Sequence, residues 1–501
     1  MKLKIHNWRF SVGALACVAG LAMPVTAPCD AAEKKPKAKA ETKQPAKPAK
    51  PKRQGAIPEA SAATSGPSQE AASSETLARY PVTEGPQMID LPTALRLAGA
   101  QNLDVRIARE KLVEAKAVHE QARQQFFPWI SPGLSYRRHD GQIQAVEGRV
   151  FDASKQSYTV GGTINAQVDF GETWYQSLAA KQTVKAAEFA VEAERQQAVY
   201  QAAAGYFELA RAQAQIGVAK ESLRVSEDYA KQLDAAVAAG LAFKGDLHRV
   251  RAQTERYRLA VQQAEERKGL AGARLAQTLR LNPAVALEAS QAELAPLALV
   301  TTNTPLDRLI AQALHHRPEL ARQAALAKAA KAEQRGTVVG PLIPSLQAQT
   351  FAGGLGGGFN DDWHNFDGTA NHSLLLGWRV GPGGLLDRAR QRAAEARVKS
   401  AGLLTEKFQD AVVAEVVTAL TRVNSLARQL ETARRALAAA EETAKLSRQR
   451  KEFGVGAVLE SLQAEQDLTA FRNDYLALVA AHNQAQYALL MAVGQLAGSA
   501  Q

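Results

Sequence analysis

An internal duplication constrains the fold of this chain more than any other feature of its sequence. The segment Leu91–Leu95 is echoed by Leu306–Ile310, at a spacing of roughly 215 residues. The dipeptides Phe127-Pro128 and Ile343-Pro344 recur at a similar spacing. Each half therefore predicts the same unit, in the order helix, strand, loop, strand, long helix, turn and long helix.

The best-defined strand runs from Tyr158 to Phe170. Its even positions are apolar or small, and its odd positions, apart from one glycine, are polar. Successive side chains of a strand face opposite sides, so one face is apolar and the other polar. Aromatic residues close both ends of the apolar face, as in the girdles of outer-membrane barrels. We therefore expect a lipid-facing strand, with these outward residues: Tyr158, Val160, Ile164, Val168 and Phe170.

Three weaker strands are predicted near residues 134–138, 346–352 and 373–380, and loops near 139–155 and 353–371. Four strands cannot close a barrel, and lipid tolerates no open sheet edge. Since the smallest membrane barrels have about eight strands, several chains must share one barrel. Two copies would contribute about eight strands and three copies about twelve.

The remaining parts of both halves predict long coiled-coil helices. Apolar and small residues alternate at spacings of three and four, a pattern that indicates a left-handed supercoil. The segment from Glu172 to Ala239 would be about 100 Å long as a helix, about three times the apolar thickness of a bilayer. Its two seams are Ala202, Leu209, Ile216, Leu223, Ala230 and Val237, and Gly205, Ala212, Ala219, Ser226 and Leu233. The following helix carries a third seam, which includes Leu247, Val250 and Thr254.

Composition and charge support this interpretation. Hydrophobic residues make up 46% of the chain but aromatic residues only 6%, which favours long helices over a compact enzyme core. The formal net charge is +11, of which residues 1–53 contribute +9. The body is therefore nearly neutral, and no nucleic-acid partner is expected.

The start of the chain predicts a secretory signal peptide over residues 1–32. Basic residues precede the apolar stretch Val12–Met23, which is too short to span a bilayer. Cys29 is the candidate for lipid attachment, although the residues before it match a lipidation signal poorly. Residues 33–85, rich in Lys, Pro, Ala and Ser, predict a disordered linker. A cationic tether that contacts anionic cell-wall polymer is the alternative.

Several motifs recur in order in both halves, and the chain resembles the TolC family of outer membrane efflux proteins over about residues 86–497. The openings are Leu91–Asp104 and Leu306–Glu319. The strand-to-helix junctions are Asp169-Phe170-Gly171 and Gly381–Asp387. The helix-to-helix turns lie in Ala239–Leu247 and Phe453–Ala464.

The resemblance implies a mainly α-helical protein with membrane β-structure. A homotrimer would form a twelve-stranded outer-membrane barrel, continuous with a periplasmic coiled-coil tunnel. The two repeats would span residues 86–300 and 301–497. The implied partners are outer-membrane lipid, a periplasmic membrane-fusion adaptor and an inner-membrane RND, ABC or MFS transporter.

The resemblance also implies roles for the helix-to-helix turns at the periplasmic tip. The adaptor-docking residues would be Gly240, Leu241, Gly245, Gly454 and Gly456. The residues at the pore constriction, or iris, would be Glu460, Gln463 and Asp246. Three copies of Glu460 would form an anionic ring that favours cations. A solvated helix acid is the alternative, and Asp246 could pair with Arg450.

No arrangement of residues predicts catalysis or a cofactor. The glycine run Gly353–Gly358 lacks the Gly-Lys-Ser/Thr ending of a phosphate loop and is expected in an external loop. His364 and His372 flank acidic residues, but their spacing does not support a metal site. We expect a passive export channel for small molecules. The alternatives are the exit duct of a type I protein secretion system and a periplasmic coiled-coil adaptor or structural protein.

Overall fold

The computed structural model describes residues 85–290, 294–300, 304–360, 363–452 and 458–496. The predicted signal peptide with Cys29, almost all of the predicted linker, Gly454 and Gly456 lie outside these residues. The first half of the fold consists of β1 (Gln87–Ile89), α1 (Leu91–Gln101), α2 (Leu103–Gln124), β2 (Trp129–Gln144), β3 (Val150–Val168), α3 (Phe170–Ala238) and α4 (Lys244–Leu279).

The second half repeats this order and confirms the predicted duplication. It consists of β4 (Leu287–Ala289), α5 (Leu306–His316), α6 (Pro318–Val339), a 3₁₀ turn (Gly340–Leu342), β5 (Ser345–Phe359), β6 (Asp367–Gly377), α7 (Arg388–Glu452) and α8 (Val458–Val493). Among the described residues, no helix is both long enough and apolar enough to cross a membrane.

The two long helices, α3 and α7, contain 69 and 65 residues. At 1.5 Å per residue, each is about 100 Å long. The upper part of α3 packs against α6 through alanines, at Ala179, Ala329 and Ala332. Its lower part packs against α4, where Tyr229 and Leu247 lie in one apolar cluster. Each long helix thus runs beside successive shorter helices.

The largest apolar core surrounds the middle of α3. Tyr206, Phe207 and Leu275 are almost completely buried there, and Tyr487 of α8 joins them. Strands β1 and β4 form a short parallel pair at this level, where the Gln213 side chain of α3 binds both backbone groups of Ala289. The predicted seams are partly confirmed, because Ala202, Leu209, Ala212, Ala219, Ser226 and Leu233 are buried while Ile216, Leu223, Ala230 and Val237 are half-buried.

The four longer strands form one antiparallel sheet in the order β2-β3-β5-β6. In its register, Leu134 lies opposite Val160, and Thr163 lies opposite Phe351. Residues directly opposite each other share a face of the sheet, so the alternation of β3 extends across its neighbours. Within the described chain, the outer edges of β2 and β6 pair with no other strand.

The predicted strand boundaries need correction at the lower end of β3. The strand ends at Val168, and Phe170 begins α3 instead of closing the apolar face. Val168 itself is only 4% exposed, so this residue does not face lipid. The two-residue alternation continues to Phe170 in sequence, but Gly171 packs against the backbone of Gly340, and the chain turns into a helix there.

The hairpins are longer than the sequence predicted. Most of residues 139–155 lie in β2 and β3, and the glycine run Gly353–Gly358 belongs to β5, not to an external loop. Aromatic rings from other positions occupy the space where glycine lacks a side chain: the Phe366 ring lies against Gly354, and the Tyr158 ring against Gly356. Such coverage compensates for the poor strand-forming tendency of glycine.

Candidate functional site

The even-numbered face of the sheet is an exposed apolar surface. Val160 is 53% exposed and Ile164 45%, and Leu134 and Leu374 extend the surface onto the edge strands. These four side chains form an exposed apolar band, which continues to the half-buried ring of Tyr158. An exposed apolar band on one face of a sheet is typical of sheets that contact lipid.

An aromatic cluster lies on this apolar face, toward the β5–β6 loop. The ring of Trp363 stacks on Tyr136 and packs against Tyr158, with centroids 5.5 and 5.4 Å apart. Phe366 also stacks on Tyr158, with ring centroids 5.7 Å apart, and the Tyr158 hydroxyl donates to the Trp363 carbonyl at 2.5 Å. The sequence pattern identified Tyr158 but missed the loop aromatics, since nothing in their spacing predicts that the loop folds onto this face.

The odd-numbered face contains a cleft that is lined mostly by polar side chains. Thr159 and Thr163 of β3 line it, with Gln349 of β5 and Asn371 of β6. The cleft has a volume of about 450 Å³. Hydroxyl and amide groups of this kind bind water well, so this face suits the inside of an aqueous pore.

The α3–α4 turn forms one end of the helical body. Gly240 has a φ of 74°, a left-handed conformation that glycine adopts without strain. Leu241 and Phe243 are 83% and 74% exposed. The Phe243 ring lies where a side chain at residue 245 would begin, so Gly245 allows it to fold against the first turn of α4.

The three predicted iris residues lie near the ends of the helical hairpins, where Glu460 and Asp246 pair with different arginines. Glu460 accepts a hydrogen bond from Nη1 of Arg450 at 2.7 Å, across the α7–α8 turn. Within one chain, Asp246 lies 3.5 Å from Arg249, and Arg450 pairs with Glu460 instead of with Asp246. Gln463 is exposed one turn beyond Glu460. The positive charge of Arg450 therefore compensates the negative charge of Glu460 locally.

A buried polar network above the tip was not predicted as a site. Arg448 of α7 forms a 2.5 Å ion pair with Glu465 of α8, whose exposure is 7%. The hydrogen bond to Glu465 raises the pKa of Arg448 and outweighs the loss of hydration on burial, which lowers it. Ser222 of α3 bonds to Thr469 of α8 at 2.8 Å, so the network links the two helical hairpins. The available signal was general: polar residues occur at seam positions, as at Ser226, which bonds to Thr254 of α4.

Comparison with known protein families identifies the family of this chain. The family model for outer membrane efflux proteins matches residues 94–279 and 309–495, one segment in each half. The chain belongs to the outer membrane efflux protein family. The resemblance to TolC-like proteins is thus confirmed, and so is the expectation of a channel instead of an enzyme. The protein is an efflux channel of the Gram-negative outer membrane, and its helical body is periplasmic.

Several solved outer membrane channels share the fold of this chain. The CmeC outer membrane channel of Campylobacter jejuni is 17% identical with a TM-score of 0.70, over 81% of this chain and 85% of CmeC. VceC of Vibrio cholerae is 20% identical with a TM-score of 0.65, over 81% and 96%. MtrE of Neisseria gonorrhoeae is 19% identical with a TM-score of 0.63, over 81% and 89%. A comparison with curated protein sequences finds no match.

Proposed function

We propose that three copies of this chain form one passive outer-membrane channel, to which each copy contributes its four-stranded sheet. The observation that carries the proposal is the sheet itself, whose two outer strands are unpaired in the described chain and whose even face exposes large apolar side chains. Lipid tolerates no unpaired sheet edge, so β6 of one copy must pair with β2 of the next.

Three copies are favoured over two by the space inside the barrel. A barrel of about eight strands is just filled by its own side chains, whereas about twelve strands leave room for water and solutes. The polar residues of the odd face, including Thr163 and Asn371, would then line that lumen. Outer-membrane lipid would contact Tyr158, Val160 and Ile164.

The assembly can be tested directly. In detergent, light scattering should give a protein mass of three chains, and the purified protein should open water-filled pores in planar lipid bilayers. Cysteines introduced on the outer edges of β2 and β6 should cross-link neighbouring copies; the native cysteines, Cys17 and Cys29, lie outside both strands. A monomer that stays dissolved without detergent would contradict the proposal.

We further propose that the α3–α4 turn, together with the α7–α8 turn, docks a periplasmic adaptor that is bound to an RND, ABC or MFS transporter. Gly240, Leu241 and Gly245 would contribute from the first turn and Gly454 and Gly456 from the second. The exposure of Leu241 and Phe243 in an aqueous compartment supports a protein partner. Leu241→Ser should weaken adaptor capture from detergent extracts without changing the trimer mass, whereas unchanged capture would contradict docking here.

The proposed cargo consists of small molecules such as drugs, toxic compounds or metal ions. The channel itself supplies no energy in this proposal; the inner-membrane partner does. Deletion of the gene followed by a screen for drug, dye and metal sensitivity tests the cargo class. If only a secreted protein disappears from the medium, and no sensitivity appears, the exit-duct function replaces this one.

At the tip, we propose that Glu460 forms a charged ring at the iris, near Gln463 and Asp246, and that Arg450 offsets its charge. Glu460→Ala should lower the cation preference of the open channel, and Arg450→Ala should raise it. Glu441→Ala is the matched control, because Glu441 also pairs with an arginine across the same hairpin, at 3.5 Å from Arg472. Unchanged ion preference in both tip variants would reject the ring.

A further inference from the structure

One phenyl ring lines the cleft on the odd-numbered face of the sheet, among mostly polar side chains. Phe351 belongs to β5, where it pairs with Thr163 of β3 and with Asn371 of β6. Because paired residues share a face, Phe351 projects to the same side as these polar neighbours. This is the face opposite to the Tyr158 cluster, so Phe351 takes no part in the outward aromatic band.

Two glycines hold the ring close to the sheet. A Cβ atom at Gly161 would lie 2.9 Å from Cζ of Phe351, and a Cβ atom at Gly353 would lie 3.0 Å from it. The far end of the ring therefore covers the backbone at both glycines, on two adjacent strands. A ring that lies over the backbone in this way leaves its outer surface available to a molecule in the cleft.

The cleft around the ring contains neutral hydrogen-bonding groups. Besides Phe351, its lining consists of Thr159, Thr163, Gln349, Leu355, Thr369, Asn371, His372 and Ser373. These lining residues include no carboxylate, lysine or arginine. Its volume of about 450 Å³ matches clefts that hold one drug-sized molecule.

From this geometry we propose that Phe351 forms a contact site for planar aromatic solutes as they pass through the barrel. The ring would stack with an aromatic solute or attract its positive charge, while threonine, asparagine and glutamine side chains bond to its polar substituents. The inference rests on the proposed function, in which the odd face lines the lumen. Three copies of the chain would place three such sites around one pore.

The test uses the full-length protein in planar lipid bilayers and two cationic probes. Tryptamine carries an aromatic ring, and hexylamine carries the same charge without one. Tryptamine should reduce the current through the wild-type channel at lower concentrations than hexylamine does. In Phe351→Ala and Phe351→Leu channels, the half-blocking concentration of tryptamine should rise roughly three- to tenfold, which corresponds to the loss of one aromatic contact.

Phe359→Ala provides the matched control. Phe359 lies on the same strand and the same face, is 61% exposed, and does not line the cleft. Its tryptamine block should equal that of the wild type. The Leu variant keeps most of the apolar volume, so it decides the question if the Ala variant does not assemble.

Equal block by both probes in the wild type, an unchanged tryptamine block in Phe351→Leu, or the same loss in Phe359→Ala would overturn the contact site. In each of these cases the channels still conduct, so the proposed function stands. Failure of the wild-type protein to form any pore would instead reject the proposed function, and the inference with it.

Discussion

Asn102 and Arg317 occupy equivalent positions in the two halves and make equivalent contacts. Each precedes the second short helix of its half, and each donates a hydrogen bond to a carbonyl oxygen near the end of the last helix of that half. Nδ2 of Asn102 reaches Thr278 at 3.1 Å, and Nη1 of Arg317 reaches Ala492 at 3.4 Å. The duplicated fold has kept one contact with two different side chains.

Arg317→Ala should destabilise the helical body. Its side chain is 6% exposed and binds Glu415 at 2.6 Å and Glu319 at 3.0 Å, so the truncation leaves two carboxylates without their cation. We expect a loss of about 2 kcal/mol per chain, less than for a fully buried pair because Glu415 is partly exposed. Guanidinium unfolding followed by circular dichroism measures it. Arg308→Ala, on an exposed turn of α5, should change little.

Arg280→Gly should stabilise the protein. Arg280 follows α4 with a left-handed φ of 58°, and the equivalent position after α8 is Gly494, with a φ of 78°. Glycine removes the Cβ strain of this conformation, so we expect a gain of about 0.5–1 kcal/mol. As a control, Arg274→Gly at an exposed position inside α4 should lower stability by about 1 kcal/mol. A loss at both positions would contradict this explanation.

Two ion pairs across the α7–α8 hairpin should differ in their contribution to stability. Glu465→Gln removes the charge from a carboxylate that is 7% exposed and should cost about 2 kcal/mol. Glu460→Gln alters an exposed pair and should cost less than about 0.5 kcal/mol. Equal effects in chemical unfolding would show that the Arg448–Glu465 pair stabilises this hairpin no more than the exposed pair does.

The stability of the lower helices should fall at high pH partly through Tyr257. Burial raises the pKa of its hydroxyl above the ordinary value of 10.0. This contribution is complete below the unfolded pKa and is lost as pH rises through the higher folded pKa, because only the unfolded phenol ionises readily. Tyr257→Phe should therefore show a smaller loss of stability above pH 10 than the wild type. Identical pH profiles would mean that Tyr257 ionises as an exposed tyrosine does.

The sequence predicted those features whose signal lies within one segment. Apolar and polar residues alternate from Tyr158 onward. This pattern identified a strand with one apolar and one polar face, because neighbouring side chains of a strand point to opposite sides. The seam positions of α3 were visible for the same local reason. The extent of β5 was not predictable, since Gly353–Gly358 forms a strand only with rings supplied by other strands and by a loop.

The ion pairs escaped prediction for a related reason. The partner of Glu465 is Arg448, on a different helix, and heptad spacing says which positions face a neighbour but not which charges meet. Asp246 and Arg450 were a reasonable pair by location at the tip, yet each has a nearer partner. The spacing of residues along one helix thus predicts which face meets a neighbour, whereas the packing of the helices decides which charged side chains pair.

Two glycines of β5 should tolerate substitution poorly, although glycine has no side chain to lose. Gly354 and Gly356 receive the rings of Phe366 and Tyr158, so an added methyl group would have to displace an aromatic ring. Sequence variation within the family should therefore be narrow at these two positions. A library screen of this hairpin should recover glycine at both positions more often than it recovers the native apolar residue at neighbouring positions.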